Sequence, residues 1–213
     1  YDVVIDTEQW HYLSAVIAYF LKSKVAVGFA TRPLRAKLFN QRIGYQINAY
    51  ELDNFKALFD PLIGPCEDIR DINLCYTLTD TLSRWAKEKV PPKSVALFLG
   101  GSIAPRRLTK KQSSEIVRYI FEKNYSVILL GGRDVQEIAE AIEDEIRDPR
   151  LLNFVGQMSL KQSAALMRET KFFIGPDSGL MHLACAVGTP VVGIFGPGNL
   201  RKWQPKGEDH SVV

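Results

Sequence analysis

The sequence predicts an α/β protein whose strands form parallel sheets in two domains, and three observations support this organisation. From Ser94 onward, short apolar runs alternate with amphipathic helical segments, as in parallel sheets covered by helices on both faces. Three predicted strands end in glycine-rich or polar turns, GGS, GGRD and GPDSG. The pair Pro91-Pro92 cannot continue a helix and separates this part from the residues before it. We therefore expect two domains, residues 1–90 and 91–213.

The second domain is predicted to repeat one strand–helix unit. A strand at 95–99 precedes a helix at about 110–123, and a strand at 126–130 precedes a helix with an isoleucine stripe at helical spacing. The next strand is expected at 152–155 and is followed by a helix at 159–167 that Ser159 caps. A strand at 172–175, a small-residue helix at 179–187 and a strand at 191–195 follow. The final HSVV reads as the start of another strand.

The first domain is predicted to contain two strands, at 3–5 and 25–29, followed by a basic loop. Its helices are expected at about 9–22, 51–62 and 77–89. The apolar stretch Tyr12–Leu21 falls short of the ~20 residues that cross a bilayer. We therefore predict a buried helix there. Because the chain opens on Tyr1 in a core-like strand, we expect a longer native protein.

Composition excludes several classes. The chain has 213 residues, of which 46% are hydrophobic and 24% charged, which is typical of a globular protein. A net charge of +3 is too small to indicate nucleic acid. Cys66, Cys75 and Cys185 are widely spaced and odd in number, which argues against a disulfide framework or zinc site and favours a reducing compartment.

The turn PDSGLMH contains more polar groups than a structural turn needs. It opens the small-residue helix, whose free N–H groups and positive dipole end suit a phosphate or diphosphate. Ser178 can cap this helix, Gly179 allows a ligand close to the backbone, and His182 can add a donor from the first turn. The alternative is that Ser178 only caps the helix and His182 is a surface residue.

Other motifs narrow the chemistry. The sequence has no P-loop, no G-x-G-x-x-G fingerprint and no D-x-D pair for a divalent metal. Asp134 can accept hydrogen bonds from ribose hydroxyls or cap a helix, and Arg106 and Arg107 can neutralise a phosphate or be solvated. Asp6 and Glu8 end the first strand, where they can be catalytic or structural.

These residues resemble glycosyltransferase family 9, the lipopolysaccharide heptosyltransferases. DSGLMHLACAVGTPVVGIFGP is similar to the family's C-terminal signature almost throughout. LFLGGS followed by RRL resembles the family's Pro-Gly-Ala-Ser loop and Lys/Arg-x-Trp, with Leu99 in place of Pro and Leu108 in place of Trp. LLGGRD resembles its ribose-binding strand, and DVVIDTEQW and KVAVGFATRP resemble its N-terminal domain.

The resemblance implies a GT-B fold with two Rossmann-like domains, of which the N-terminal one is incomplete here. It implies that Asp177 contacts the sugar, that Ser178, Gly179 and His182 contact the diphosphate, and that Asp134 contacts the ribose. The full set of implied donor-binding residues is Ser102, Arg106, Asp134, Asp177, Ser178, Gly179 and His182. The family's base lies in a glycine loop before the segment that matches Tyr1, so Asp6 and Glu8 are the candidates within this chain.

The implied reaction is inverting transfer of heptose, or a related sugar, from an ADP-sugar to the lipopolysaccharide core, without a metal or other cofactor. The implied partners are the nucleotide-sugar donor and a lipid-linked core oligosaccharide acceptor, with no nucleic acid. The implied location is cytoplasmic, with peripheral contact at the inner membrane. A basic loop suits a phosphorylated acceptor or is solvated, and it contains Arg32, Arg35, Lys37 and Arg42. The alternatives are a GT-B-like sugar-nucleotide epimerase and a non-catalytic nucleotide-sugar-binding module.

Overall fold

Two sets of residues pack separately in the computed structural model, which describes residues 1–64, 75–101 and 103–213. Unit 1 comprises Tyr1–Ile72 and Arg201–Trp203, and unit 2 comprises Asn73–Leu200 and Gln204–Val213. Each unit contains one parallel sheet.

The division between the units differs from the predicted boundary at residues 90 and 91. The helix α5 (Asp80–Lys89) packs against α8 (Leu160–Glu169) of unit 2. Ala86 and Val90 share a core cluster with Leu166. The proline pair therefore ends a helix of unit 2, because the apolar face of that helix is buried there.

Unit 1 has a three-stranded sheet in the order β1-β2-β3. Alternate residues of β2 face opposite sides, with Ala26 against Ala15 and Ala18 of α1, and Val27 in a cluster with Leu58. A short helix and a polar strand, α2 and β3, lie where the sequence predicts a basic loop, and the predicted helix at 51–62 is two short helices. The elements are β1 (Val3–Asp6), α1 (Leu13–Phe20), β2 (Val25–Phe29), α2 (Pro33–Ala36), β3 (Gln41–Ile43), α3 (Glu51–Ala57) and α4 (Asp60–Ile63).

The prediction that the first helix is buried is wrong for most of its surface. Only its small residues, Ala15 and Ala18, are buried, while Leu13, Ile17 and Phe20 are exposed. The reason is that one face of α1 packs on the sheet, and an all-apolar run does not tell which face that is. Across the described ranges, no helix is long and apolar enough to span a membrane.

Unit 2 has a six-stranded parallel sheet in the order β6-β5-β4-β7-β8-β9. The predicted strands and helices are present with ends shifted by a few residues, and HSVV forms the last strand. The remaining elements are β4 (Ser94–Phe98), α6 (Lys110–Glu122), β5 (Ser126–Leu130), α7 (Gln136–Ile146), β6 (Leu151–Asn153), β7 (Phe172–Pro176), α9 (Gly179–Ala186), β8 (Val191–Ile194) and β9 (His210–Val212). The short helix α10 (Leu200–Trp203) is divided, with Leu200 in unit 2 and Arg201–Trp203 in unit 1.

Helices cover both faces of this sheet. Val95 and Leu97 point to the face that carries α6 and α7, where they join Val117 and Ile142. Residues of opposite parity, such as Ala96, join the cluster formed by α5, α8 and α9 on the other face. Because the helices change face between β4 and β7, the carboxyl ends of these two adjacent strands border a crevice, the usual ligand position in such sheets.

Candidate functional site

Arg106 and Asp177 meet at the carboxyl ends of β4 and β7. Arg106 belongs to a 3-10 helix, Ala104–Arg106, that follows β4, and Asp177 follows β7 directly. Arg106 Nη1 lies 3.1 Å from Asp177 Oδ2, and Asp177 is only 5% exposed. Among the described residues, Arg106 Nε has no hydrogen-bond partner, and Asp177 Oδ2 has no partner besides this ion pair. Buried polar atoms are normally paired, so this geometry suits a polar ligand.

The helix α9 begins beside this ion pair. Ser178 Oγ accepts a hydrogen bond from the Met181 backbone N–H at 3.4 Å, so Ser178 caps the helix as predicted. A Cβ added at Gly179 would meet no atom within 4 Å. The first turn of α9 is therefore open to a ligand, with its backbone N–H groups and dipole favouring an anion.

His182 lies in the first turn of the same helix and is half-buried. Burial lowers the pKa of its imidazole below the usual value, and the negative charge of Asp177 opposes this shift. His182 is therefore neutral near pH 7 in the free protein. A diphosphate at the start of α9 would favour its protonated form.

Asp134 lies at the end of the neighbouring strand, β5, in the 3-10 helix Arg133–Val135. Its side chain does not cap α7, whose N-cap residue is Val135. Instead, Asp134 Oδ2 lies 2.8 Å from Arg107 Nη2. Asp134 therefore remains at the sheet edge with its carboxylate held by the loop that follows β4.

The loop after β8 also reaches this site, although its glycines are not among the predicted donor-binding residues. A Cβ at Gly198 would lie 3.0 Å from Asp177 Oδ2, and one at Gly196 would lie 3.6 Å from the Pro105 carbonyl oxygen. The signal in the sequence is Gly-Pro-Gly directly after a buried strand at the ligand edge.

The structure thus brings together five of the predicted donor-binding residues, and Asp134 lies at the adjacent strand end. The five are Arg106, Asp177, Ser178, Gly179 and His182. Ser102 lies outside the described residues. The sequence predicts that Arg107 neutralises a phosphate or is solvated, and nothing in it indicates the contact with Asp134.

Asp6 has a structural role in unit 1. Its Oδ2 lies 2.7 Å from Arg35 Nη2, and its carboxylate accepts hydrogen bonds from Ser14 Oγ at 3.1 Å and the Glu8 backbone N–H at 3.0 Å. Arg35 is fully buried and also donates to the Phe29 carbonyl oxygen at 2.6 Å. Arg35 is therefore neither available to a phosphorylated acceptor nor solvated, so both predictions for the basic loop are wrong at this residue.

Glu8 also satisfies the backbone. Its Oε1 accepts from the backbone N–H groups of Gln9 and Trp10, each at 2.9 Å, and of His11 at 3.3 Å. The bonds from Trp10 and His11 are the main reason that the pKa of Glu8 lies below its usual value. A carboxylate stabilised in its charged form is a poor proton acceptor.

Comparison with curated proteins reveals heptosyltransferases. The chain is 24% identical over 214 residues to the lipopolysaccharide core heptosyltransferase OpsX of Haemophilus influenzae, which covers 96% of this chain and 60% of that protein. It is 29% identical over 94 residues to lipopolysaccharide heptosyltransferase 3 of Escherichia coli, which covers 43% of this chain and 28% of that protein. The chain therefore spans at most about 60% of the length of these two relatives.

Solved structures share the fold across the whole chain. A family 9 glycosyltransferase from Veillonella parvula gives a TM-score of 0.85 at 17% identity, with 62% of that protein covered. E. coli heptosyltransferase WaaC with ADP-2-deoxy-2-fluoro heptose gives 0.72 at 20% identity, with 65% covered. These neighbours are GT-B-type glycosyltransferases, so the GT-B prediction is confirmed. The sequence model of glycosyltransferase family 9 (heptosyltransferase) matches residues 1–213, and the chain belongs to this family.

Proposed function

We propose that this chain binds the ADP-sugar donor of an inverting heptosyltransferase acting on the lipopolysaccharide core. The observation that carries the proposal is the meeting of Arg106, Asp177 and the start of α9 at the crevice between β4 and β7. A ligand-bound relative supports the choice of donor, because WaaC was solved with an ADP-heptose analogue.

The diphosphate would lie at the first turn of α9. There the backbone N–H groups, Gly179 and His182 face it, and Ser178 caps the helix. Arg106 would add a positive charge, and Asp177 would contact the sugar. Asp134 would accept hydrogen bonds from the ribose hydroxyls. Ser102 is also proposed to contact the donor, on the ground of the family resemblance alone.

The proposed reaction is a direct displacement. An acceptor hydroxyl attacks the anomeric carbon, the bond from that carbon to the diphosphate oxygen breaks, and the bonding electrons remain on the diphosphate. The dipole of α9 and the guanidinium of Arg106 stabilise the developing charge, so we propose no metal for this step. The hydroxyl proton must pass to a base. We do not assign it to Asp6 or Glu8, whose carboxylates are bound by Arg35 and by backbone N–H groups.

The acceptor is proposed to be the lipid-linked core oligosaccharide. Arg32 and Lys37 are exposed and suit its phosphates, and Arg42 lies in the adjacent exposed strand. We propose that the protein works in the cytoplasm, in peripheral contact with the inner membrane.

A thermal-shift panel tests the donor assignment. ADP and ADP-heptose are expected to raise the unfolding temperature of the chain, whereas UDP and GDP at equal concentration raise it less. Asp134→Ala should weaken the binding of ADP and of ADP-heptose by similar factors, because both contain the ribose. The expected loss of binding free energy is about 1.5–3 kcal/mol, the value of a charged hydrogen bond.

Two results would contradict the assignment. A chain that prefers UDP or GDP would not use an ADP-sugar. If Asp134→Ala weakens the binding of ADP-heptose but not that of ADP, Asp134 contacts the transferred sugar rather than the ribose.

A further inference from the structure

Two consecutive arginines in the loop after β4 hold the two carboxylates of the candidate donor site. Arg106 contacts Asp177 at the end of β7, on one side of β4. Arg107 contacts Asp134 at the end of β5, on the other side. Because β5, β4 and β7 are adjacent in the sheet, this loop connects three neighbouring ligand-edge segments.

Arg107 makes two contacts at once. Its Nε donates to the Gly101 carbonyl oxygen at 3.1 Å, and its Nη2 lies 2.8 Å from Asp134 Oδ2. The planar guanidinium fixes the directions of both contacts. Arg107 therefore holds the Asp134 carboxylate in a fixed position relative to the Gly101 backbone, just after β4. A lysine has one ammonium group and cannot reproduce this fork.

Asp134 is also confined from its own strand. A Cβ added at Gly132 would lie 2.5 Å from Asp134 Oδ1. The carboxylate is therefore folded over the Gly132 backbone and lies between it and Arg107. The second glycine of LLGGRD permits this position.

The contact is a poor candidate for a purely stabilising one. The side chains of Arg107 and Asp134 are 30% and 48% exposed, and exposed ion pairs contribute little to folding stability. Its position at the ligand edge makes a role in binding the better explanation.

We propose that Arg107 is a positioning residue that orients Asp134 toward the ribose hydroxyls and thereby sets the preference for ribonucleotides over deoxyribonucleotides. The inference rests on the proposed function, in which Asp134 recognises the ribose. Arg107 itself need not touch the nucleotide.

The test is calorimetric titration of the 213-residue chain with ADP and with 2′-deoxyADP. The wild-type chain should bind ADP at least about tenfold more tightly, as expected for one charged hydrogen bond. Arg107→Gln should reduce the ratio of ADP affinity to 2′-deoxyADP affinity to about two or less, because it weakens the binding of ADP. Asp134→Ala should reduce the ratio equally, and the double variant should show no further loss. Arg107→Lys should restore part of the ratio, because it keeps the charge beside Asp134.

Arg118→Gln is the matched control, since Arg118 is an exposed arginine paired with Glu145 at 3.1 Å on α6 and α7. It should leave the ratio unchanged. An unchanged ratio in Arg107→Gln overturns the proposal, as does an equal loss for both nucleotides, which would place Arg107 on the diphosphate. A wild-type chain that binds neither nucleotide overturns the proposed function itself.

Discussion

His182 shows how burial and a neighbouring charge set the behaviour of one residue. Its pKa lies below the ordinary imidazole value because burial disfavours the charged form, although Asp177 works in the opposite direction. The sequence could place His182 in the first turn of a helix. It could not give the degree of burial, which depends on residues that are distant in the chain.

We expect the affinity for an ADP-sugar to rise as the pH falls from about 8 to 6. A bound diphosphate favours imidazolium, so binding takes up a proton, and each unit by which the pKa rises is worth about tenfold in affinity. ADP-ribose is the suitable probe in calorimetry, because it lacks the terminal phosphate that titrates near neutral pH in ADP. His182→Gln should flatten the profile. A wild-type profile as flat as that of His182→Gln would remove His182 from the diphosphate site.

The free protein should respond to pH in the opposite direction. Because the folded pKa of His182 is lowered, the unfolded chain takes up its proton first as the pH falls below about 6.5. This contribution to stability is therefore present above that pH and lost below it. The ligand-free unfolding temperature should fall more in wild type than in His182→Gln between pH 7 and 5.5.

Among the elements, those with a strong local signal were predictable. β5 occupies the predicted residues 126–130, and Ser159 caps α8 with Gln162 completing a capping box. The strand β3 was not predicted, because its residues Gln41–Ile43 are mostly polar and show no alternation. The sequence also does not distinguish the buried Arg35 from its exposed basic neighbours, because its partner Asp6 lies 29 residues away.

Arg35→Met should destabilise unit 1 by about 3–5 kcal/mol, because it leaves the buried carboxylate of Asp6 without its cation. Lys37→Met is the matched control, since Lys37 follows the same helix and is exposed, and its effect should stay within about 0.5 kcal/mol. Urea unfolding followed by tryptophan fluorescence in a Trp85→Phe background reports this, because the remaining Trp10 and Trp203 both lie in unit 1. Equal stability of the two variants would show that the ion pair is dispensable.

At the scale of the whole molecule, the α/β class and the ligand edge followed from the strand–helix alternation and from the polar turns after three strands. The strand order supports that edge, since β6-β5-β4-β7-β8-β9 is the order 3-2-1-4-5-6 when numbered within unit 2. The contacts that complete the site, such as Arg107 with Asp134, join separate loops and leave no local pattern. The same holds for α5, whose place in unit 2 depends on packing against α8.

The variant Gly179→Val tests whether the start of α9 binds the diphosphate of an ADP-sugar. The added side chain enters open space at an exposed helix start, so the fold and the unfolding temperature should be retained. Gly44→Val is the control, because its Cβ position is equally open and lies in unit 1.

The decisive measurement is calorimetric titration of ADP-heptose into the wild-type chain and these two variants. The wild-type chain and Gly44→Val should bind alike, whereas Gly179→Val should lose about 100-fold or more in affinity, the equivalent of two charged hydrogen bonds. If Gly179→Val binds ADP-heptose as tightly as the wild-type chain, the diphosphate does not lie at the start of α9.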